Sequence, residues 1–208
     1  MERSVIPASP HIQSLIMTAW TLLIVVAMAA VAVAIVVIYN RLVTARQMAD
    51  EAWSGIDVQL KRRADLVPVL LETVKGYAAH ERGLFEDLAR LRGQAGSVPR
   101  EDVARRGQAE GALAAGLGRL LAVAENYPDL KASQNFLDLQ RQLSTLEDEL
   151  QMARRYYNGA TRNQNVLVQS FPSNLLAGLL GFRLRAFFEL AAEADRMPAP
   201  VAFGGPSS

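Results

Sequence analysis

The chain has 208 residues, contains no cysteine and carries a formal net charge of only +1 at pH 7. Acidic and basic residues are interleaved along it, so no broad basic surface is predicted and nucleic acid is excluded as a partner. The lack of cysteine is consistent with a reducing compartment.

An uncharged, strongly apolar segment occupies residues 16–38. As a helix it would extend roughly 35 Å, enough to cross a hydrocarbon layer of about 30 Å. We therefore predict a transmembrane helix at residues 16–38, with the lipid bilayer as the first partner of the protein. A cleaved signal peptide is the alternative, but its apolar core would be shorter and would be followed by a cleavage site.

Basic residues near this segment predict its orientation, because Lys and Arg are retained on the cytoplasmic side. Arg3 precedes the segment, whereas Arg41 is the first of several basic residues that follow it. We expect a short extracytoplasmic N-terminus at residues 1–15 and a cytoplasmic helical bundle at residues 39–195. The Pro, Ala, Gly and Ser residues of the tail, residues 196–208, predict disorder.

The membrane helix is predicted to continue into the bundle. Apolar residues recur at steps of four and three over residues 49–78, which is the spacing of one stripe on a helix. Pro68 interrupts this stretch, but the stripe keeps its phase, so we expect a kinked and continuous helix. The stripe resumes at Phe85 and Leu88. A turn is then predicted at Gly93, Gly96, Ser97 and Pro99.

A third helix is expected to open at Pro99, and it contains several glycines. Each exposed glycine would lower the stability of the helix by about 1 kcal/mol relative to alanine. Alternatively, the glycines allow another helix to approach closely. They are Gly107, Gly111, Gly116 and Gly118.

The clearest helical periodicity lies between Pro128 and Gln169, and Pro172 marks the end of this predicted helix. Its stripe indicates long helices packed side by side, as in a coiled coil.

Ser173 is predicted to cap a last helix running to about Asp195, apolar on most of its surface. This helix is expected either to be buried in the bundle or to lie on the bilayer, with Arg183 and Arg185 reaching the headgroups.

The pair His80-Glu81 begins like a zinc-protease helix. Such a helix needs a second histidine four residues after the first, and Leu84 occupies that position. We therefore predict no metal site, no cofactor and no catalytic residue, and a hydrolase built on this pair is the weakest functional hypothesis.

The densest charge group is formed by Asp57, Lys61, Arg62, Arg63 and Asp65. Salt bridges along the helix explain it simply, since Asp57 and Lys61 are four residues apart in the favourable order. The alternative is a docking patch for a protein partner or a second copy of the chain. Lipid headgroups are too distant, because Lys61 would lie ~35 Å beyond the membrane segment, several times the screening length of about 8 Å.

Several motifs occur in order over residues 39–190. They are Tyr39-Asn40-Arg41-Leu42-Val43, Glu51-Ala52-Trp53-Ser54, the run from Ile56 to Pro68, Tyr127-Pro128-Asp129-Leu130-Lys131, Arg154-Arg155-Tyr156-Tyr157-Asn158 and Phe171-Pro172. With these motifs the sequence resembles the LemA family of bacterial membrane proteins. The resemblance implies one N-terminal membrane helix, a short outer N-terminus and an antiparallel helical bundle in the cytoplasm, and it supplies no catalytic residues.

We therefore predict an all-α protein, an antiparallel helical bundle of about four helices preceded by one N-terminal transmembrane helix, in the bacterial inner membrane. The predicted function is that of a membrane-anchored, non-catalytic scaffold that binds an unknown protein partner or forms a homo-oligomer. The alternative is a lipid-binding or membrane-organising protein that uses the helix near residues 173–195.

Overall fold

The computed structural model describes residues 10–190 of the chain, which contain six helices and no strand. The helices are α1 (Pro10–Lys75), α2 (Arg82–Ser97), α3 (Val103–Ala124), α4 (Pro128–Lys131), α5 (Gln134–Gln169) and α6 (Ser173–Leu179). The prediction of an all-α fold is confirmed, with four long helices and two short ones in the described residues. The predicted disordered tail lies outside them.

Helix α1 is continuous through Pro68, as predicted. Pro68 lies on the exposed side of the helix, and the Ala64 carbonyl that loses its backbone hydrogen bond accepts one from Arg92 Nε at 2.6 Å instead. The helix begins earlier than the predicted membrane segment, so residues 10–15 of the expected N-terminal segment are helical.

The membrane segment of α1 has no protein cover. Every side chain of residues 17–37 is exposed, and Leu22 and Val33 retain 68% and 63% of their accessible surface. Large apolar patches of this kind mark contact with a membrane or a partner. By length and composition, α1 is the one helix within residues 10–190 that could cross a bilayer.

The described residues form two compact units. The first comprises residues 10–44 and Val166–Arg183, and the second comprises Ala45–Asn165 and residues 184–190. The second unit contains two apolar core clusters that use the predicted stripes of α1 and α5. One includes Val67, Val74, Leu88, Leu113, Leu120 and Phe136, and the other includes Trp53, Ile56, Leu60, Leu150, Tyr157 and Phe188.

The predicted turn between the second and third helices is too early. Gly93 and Gly96 lie inside α2, because an isolated glycine costs a helix less than the burial of neighbours such as Leu91 contributes. Pro99 does not open α3. The cap is Asp102, whose carboxylate accepts a hydrogen bond from the Arg105 N–H at 3.1 Å.

The predicted last helix is wrong beyond Leu179. Gly181 adopts a φ of +72°, and the Phe182 N–H donates to the Ala177 carbonyl at 2.9 Å, which together end α6 in a Schellman motif. Residues 182–190 have no regular secondary structure, and the remainder of the predicted helix lies outside the described residues. Ser173 is the first residue of α6 and not its cap.

Other parts of the protein approach two of the α3 glycines closely, Gly107 and Gly116. Only at Gly116 is the neighbour a helix. A Cβ atom added to Gly107 would lie 2.2 Å from the carbonyl oxygen of Glu189, in the extended C-terminal segment. At Gly116 it would lie 2.9 Å from Leu88 Cδ2 of α2. Gly107 is therefore required by the path of another backbone.

We expect Gly107→Ala to lower the free energy of unfolding by about 1–3 kcal/mol, because overpacking displaces the Glu189 backbone. Gly118→Ala is the matched control in the same helix, since a Cβ atom there meets nothing within 4 Å. It should raise the stability by up to about 1 kcal/mol through helix propensity. Urea denaturation of the full-length protein in detergent micelles, followed by circular dichroism, measures both changes. Equal effects would contradict the assigned contact.

Candidate docking surface

The predicted docking residues do not share one environment. Lys61, Arg62 and Asp65 are exposed on α1, and Asp57 lies 3.9 Å from the guanidinium of Arg106. Arg63 is completely buried, so its assignment to a surface patch is wrong. A docking role for the exposed members of the group stays a prediction.

Arg63 lies at the centre of a buried charge network. Its Nη2 atom is 2.6 Å from Glu110 Oε2 and donates to the Glu110 carbonyl at 3.1 Å, while its Nη1 atom is 2.8 Å from Glu147 Oε1. Glu110 is 2% exposed and Glu147 is partly exposed. The guanidinium therefore joins α1 to α3 and α5 through charge-assisted hydrogen bonds.

A second guanidinium completes this network. Arg106 Nε is 3.1 Å from Glu110 Oε1, and its Nη1 atom donates to the Val98 carbonyl at 3.2 Å. Burial by itself lowers the pKa of Arg63, but the carboxylates of Glu147 and Glu110 outweigh it and raise the pKa above the ordinary arginine value. Arg63 thus remains charged, and its task is structural.

A surface groove of about 500 Å³ runs beside this network, between α1 and α5. Two members of the predicted docking group, Arg62 and Asp65, line it together with apolar and polar residues. The other lining residues are Leu66, Arg141, Gln142, Thr145, Leu146 and Glu149. The guanidinium of Arg62 lies 3.5 Å from the Glu149 carboxylate. The groove thus combines a partly apolar floor with charges of both signs.

The segment after α6 is held by two asparagines of α5. Asn165 exchanges two hydrogen bonds with the backbone of Arg185, at 2.9 and 3.0 Å, and Asn158 does the same with Phe188, at 2.9 and 3.2 Å. From Asn158 to Asn165 the helix rises about 10.5 Å over seven residues, and from Arg185 to Phe188 the extended segment covers about 10 Å over three residues. The two spacings match, so the asparagines satisfy backbone groups that a helix would have paired internally.

Aromatic side chains hold the same segment in place. The ring of Phe188 is completely buried and packs against Trp53 with a centroid distance of 5.5 Å. Tyr157 lies 5.3 Å from Trp53, and its hydroxyl donates to the Ala186 carbonyl at 2.9 Å. Nothing in the local sequence of residues 184–190 predicts this docking.

A second cleft, of about 590 Å³, lies against these aromatic residues. Arg100 and Arg185 line it, but both engage the protein itself. Arg100 donates to the Ser54 hydroxyl at 2.7 Å, and Arg185 forms an ion pair with Asp50. The cleft is therefore a weaker candidate for an anionic ligand than its composition suggests.

The surroundings of the His80-Glu81 pair do not resemble a metal site. His80 is exposed, and the Glu81 carboxylate accepts a hydrogen bond from the Tyr127 hydroxyl at 3.3 Å. Desolvation and then the nearby Glu81 carboxylate raise the pKa of Tyr127, so the phenol stays protonated at neutral pH. Among the described residues, no group of three or more His, Cys, Asp or Glu side chains could hold a metal ion.

Sequence comparison finds relatives among curated bacterial proteins. Magnetosome protein MamQ 2 of Paramagnetospirillum magneticum is 25% identical over 76% of this chain and 66% of its own length. Magnetosome protein MamQ of Magnetospirillum gryphiswaldense is 24% identical with the same coverage. The chain thus spans slightly less than two thirds of the length of these relatives. Protein LemA of Metamycoplasma hominis is 27% identical over 76% of this chain and 71% of its own length.

A family profile also matches most of the chain. The profile of the LemA family matches residues 52–203, which include the buried network, the groove and the asparagines of α5. The chain belongs to the LemA family.

Proposed function

We propose that the protein is a non-catalytic scaffold in the bacterial inner membrane, anchored by α1 with its helical bundle in the cytoplasm. The uncovered apolar surface of residues 17–37 supports the anchor. The excess of basic residues after this segment supports the orientation. The naming of two relatives as magnetosome proteins agrees with this assignment.

The observation that carries the docking role is the groove between α1 and α5. Leu66 and Leu146 supply apolar surface, while Arg62, Asp65 and Arg141 supply charges of both signs around it. An apolar centre with a charged rim is typical of protein interfaces. We expect the groove to receive a segment of a protein partner or of a second copy of the chain.

The helices that form the groove are joined by the buried network. Arg63 on α1 binds Glu147 on α5, and the neighbouring pair Arg62 and Glu149 joins the same two helices at the surface. Sites on rigid elements keep their geometry better than sites on loops. This construction favours a preformed docking surface over one assembled on binding.

Crosslinking from the groove tests the proposal. The chain has no cysteine, so Thr145→Cys, at an exposed position in the groove, gives a unique attachment point for a photoreactive maleimide. Gly93→Cys is the control, on an exposed part of α2 where a Cβ atom meets nothing within 4 Å. In native membranes, we expect a discrete crosslinked product from position 145 and none from position 93.

Mass spectrometry of that product separates the two kinds of partner. Peptides from this chain alone would indicate a homo-oligomer, and peptides from one other protein would identify a partner. If the full-length protein gave no crosslinked product from either position 145 or position 93, this result would contradict the scaffold function.

A further inference from the structure

Helix α6 exposes two of its three leucines and buries two of its small residues. Leu175 and Leu179 retain 65% and 82% of their accessible surface, whereas Ser173 and Ala177 retain 7% and 0%. Phe171, in the turn before the helix, is 80% exposed and lies four residues before Leu175. A water-exposed helix has the opposite arrangement. We call the exposed stripe of Phe171, Leu175 and Leu179 the apolar turn.

The surrounding sequence is uncharged as well. No acidic or basic residue occurs between Arg162 and Arg183. The Ser173 hydroxyl lies 2.7 Å from the Leu167 carbonyl oxygen and 2.9 Å from that of Ser170, so polar atoms at the start of α6 are satisfied inside the protein. The apolar turn therefore presents a surface without charge.

Burial within the first compact unit indicates where the segment Val166–Arg183 lies along α1. This unit joins Val166–Arg183 to residues 10–44. Residues 17–37 have no buried side chain, whereas Ile38 is partly covered and Leu42 is completely buried. The contacts that unite the two parts therefore fall just after the apolar membrane segment, at the level of the membrane–water boundary.

We propose that the apolar turn inserts into the bilayer at this boundary and forms a second lipid contact, on the same side of the membrane as the helical bundle. This proposal rests on the proposed function, because it requires that α1 anchors the chain in the membrane. Helix α6 is only about 10 Å long, so it is far too short to span a membrane and lies in the interfacial region. The absence of charge over residues 163–182, and the place of this segment in one compact unit with the apolar part of α1, favour lipid as the occupant over a second copy.

The test uses full-length protein with single cysteines, each labelled with an environment-sensitive fluorophore and reconstituted into vesicles of phosphatidylcholine and phosphatidylglycerol. Gly178→Cys places the label on α6 without removing a leucine, and a Cβ atom there meets nothing within 4 Å. Ala29→Cys reports on the membrane segment. Gly118→Cys is the matched control in α3, also with nothing within 4 Å.

Lipids carrying a nitroxide close to the headgroup are the quencher, with aqueous iodide as the complementary quencher. We expect the label at position 178 to be quenched by the lipid several-fold more strongly than the label at position 118, and to be shielded from iodide. Adding Leu175→Ser and Leu179→Ser should reduce quenching at position 178 to the level of the control, while the label at position 29 keeps its lipid contact.

Three outcomes would overturn the proposal, and they are distinguishable. A label at position 178 that iodide reaches and lipid does not quench, with position 29 in lipid, would remove the second contact alone. Shielding from iodide without lipid quenching would show that protein covers the apolar turn. A label at position 29 that lipid does not quench, with a nitroxide at any depth, would remove the anchor and the proposed function with it.

Discussion

Replacing Arg63 by methionine is expected to lower the free energy of unfolding by about 3–5 kcal/mol, the usual cost of removing one partner of a buried ion pair. Glu110 would keep its contact with Arg106 but would lose its 2.6 Å partner while remaining 2% exposed. The measurement is urea denaturation of the full-length protein in detergent micelles, followed by circular dichroism.

The neighbouring arginine is the matched control for this substitution. Arg62 is 61% exposed on its side chain and lies 3.5 Å from Glu149, so Arg62→Met should change the stability by less than about 1 kcal/mol. The triple variant in which Arg63, Glu110 and Arg106 are all replaced by methionine should recover much of the loss, since apolar groups of similar volume often replace a whole buried ion pair or triad without cost. Equal effects at positions 62 and 63 would contradict the buried network.

Phe188→Ala is expected to lower the free energy of unfolding by about 3–5 kcal/mol, because it leaves a cavity beneath Trp53 and removes an aromatic contact. The same change should release the C-terminal segment from α5. Trp53 fluorescence, measured in a Trp20→Phe background, reports this release as a shift of emission towards that of a hydrated indole.

Phe187→Ala provides the comparison for that effect, because Phe187 is the adjacent residue and is 39% exposed. We expect it to leave Trp53 emission unchanged and to cost much less stability. Should both phenylalanine variants shift the emission to the same extent, the specific packing of Phe188 on Trp53 would be excluded.

The case of Arg63 shows what residue spacing could have predicted. Arg63 is in phase with the buried stripe, three residues after Leu60 and four before Val67. Glu110 is likewise three residues before Leu113 and seven before Leu117. A charged residue inside an apolar stripe was the signal for a buried ion pair. The other charged residues around Arg63 favoured a surface interpretation instead. The pairing is visible only in the fold, because the partners are 47 residues apart.

The C-terminal segment shows the opposite limit. Its leucines, phenylalanines and arginines favour a helix by composition, and nothing local opposes one between Phe182 and Leu190. The extended conformation depends on Asn158 and Asn165, 20 to 30 residues away along the chain, which bind its backbone. Helix propensity is a weak preference, and tertiary hydrogen bonds override it here.

The sequence by itself determined the apolar membrane segment, the continuity of α1 and the stripes of α1 and α5, because each depends on regular spacing within one helix. Only the tertiary structure decided the burial of Arg63, the path of residues 182–190 and the outward face of α6. These features depend on contacts between residues far apart in the chain, whose energies have no local signature.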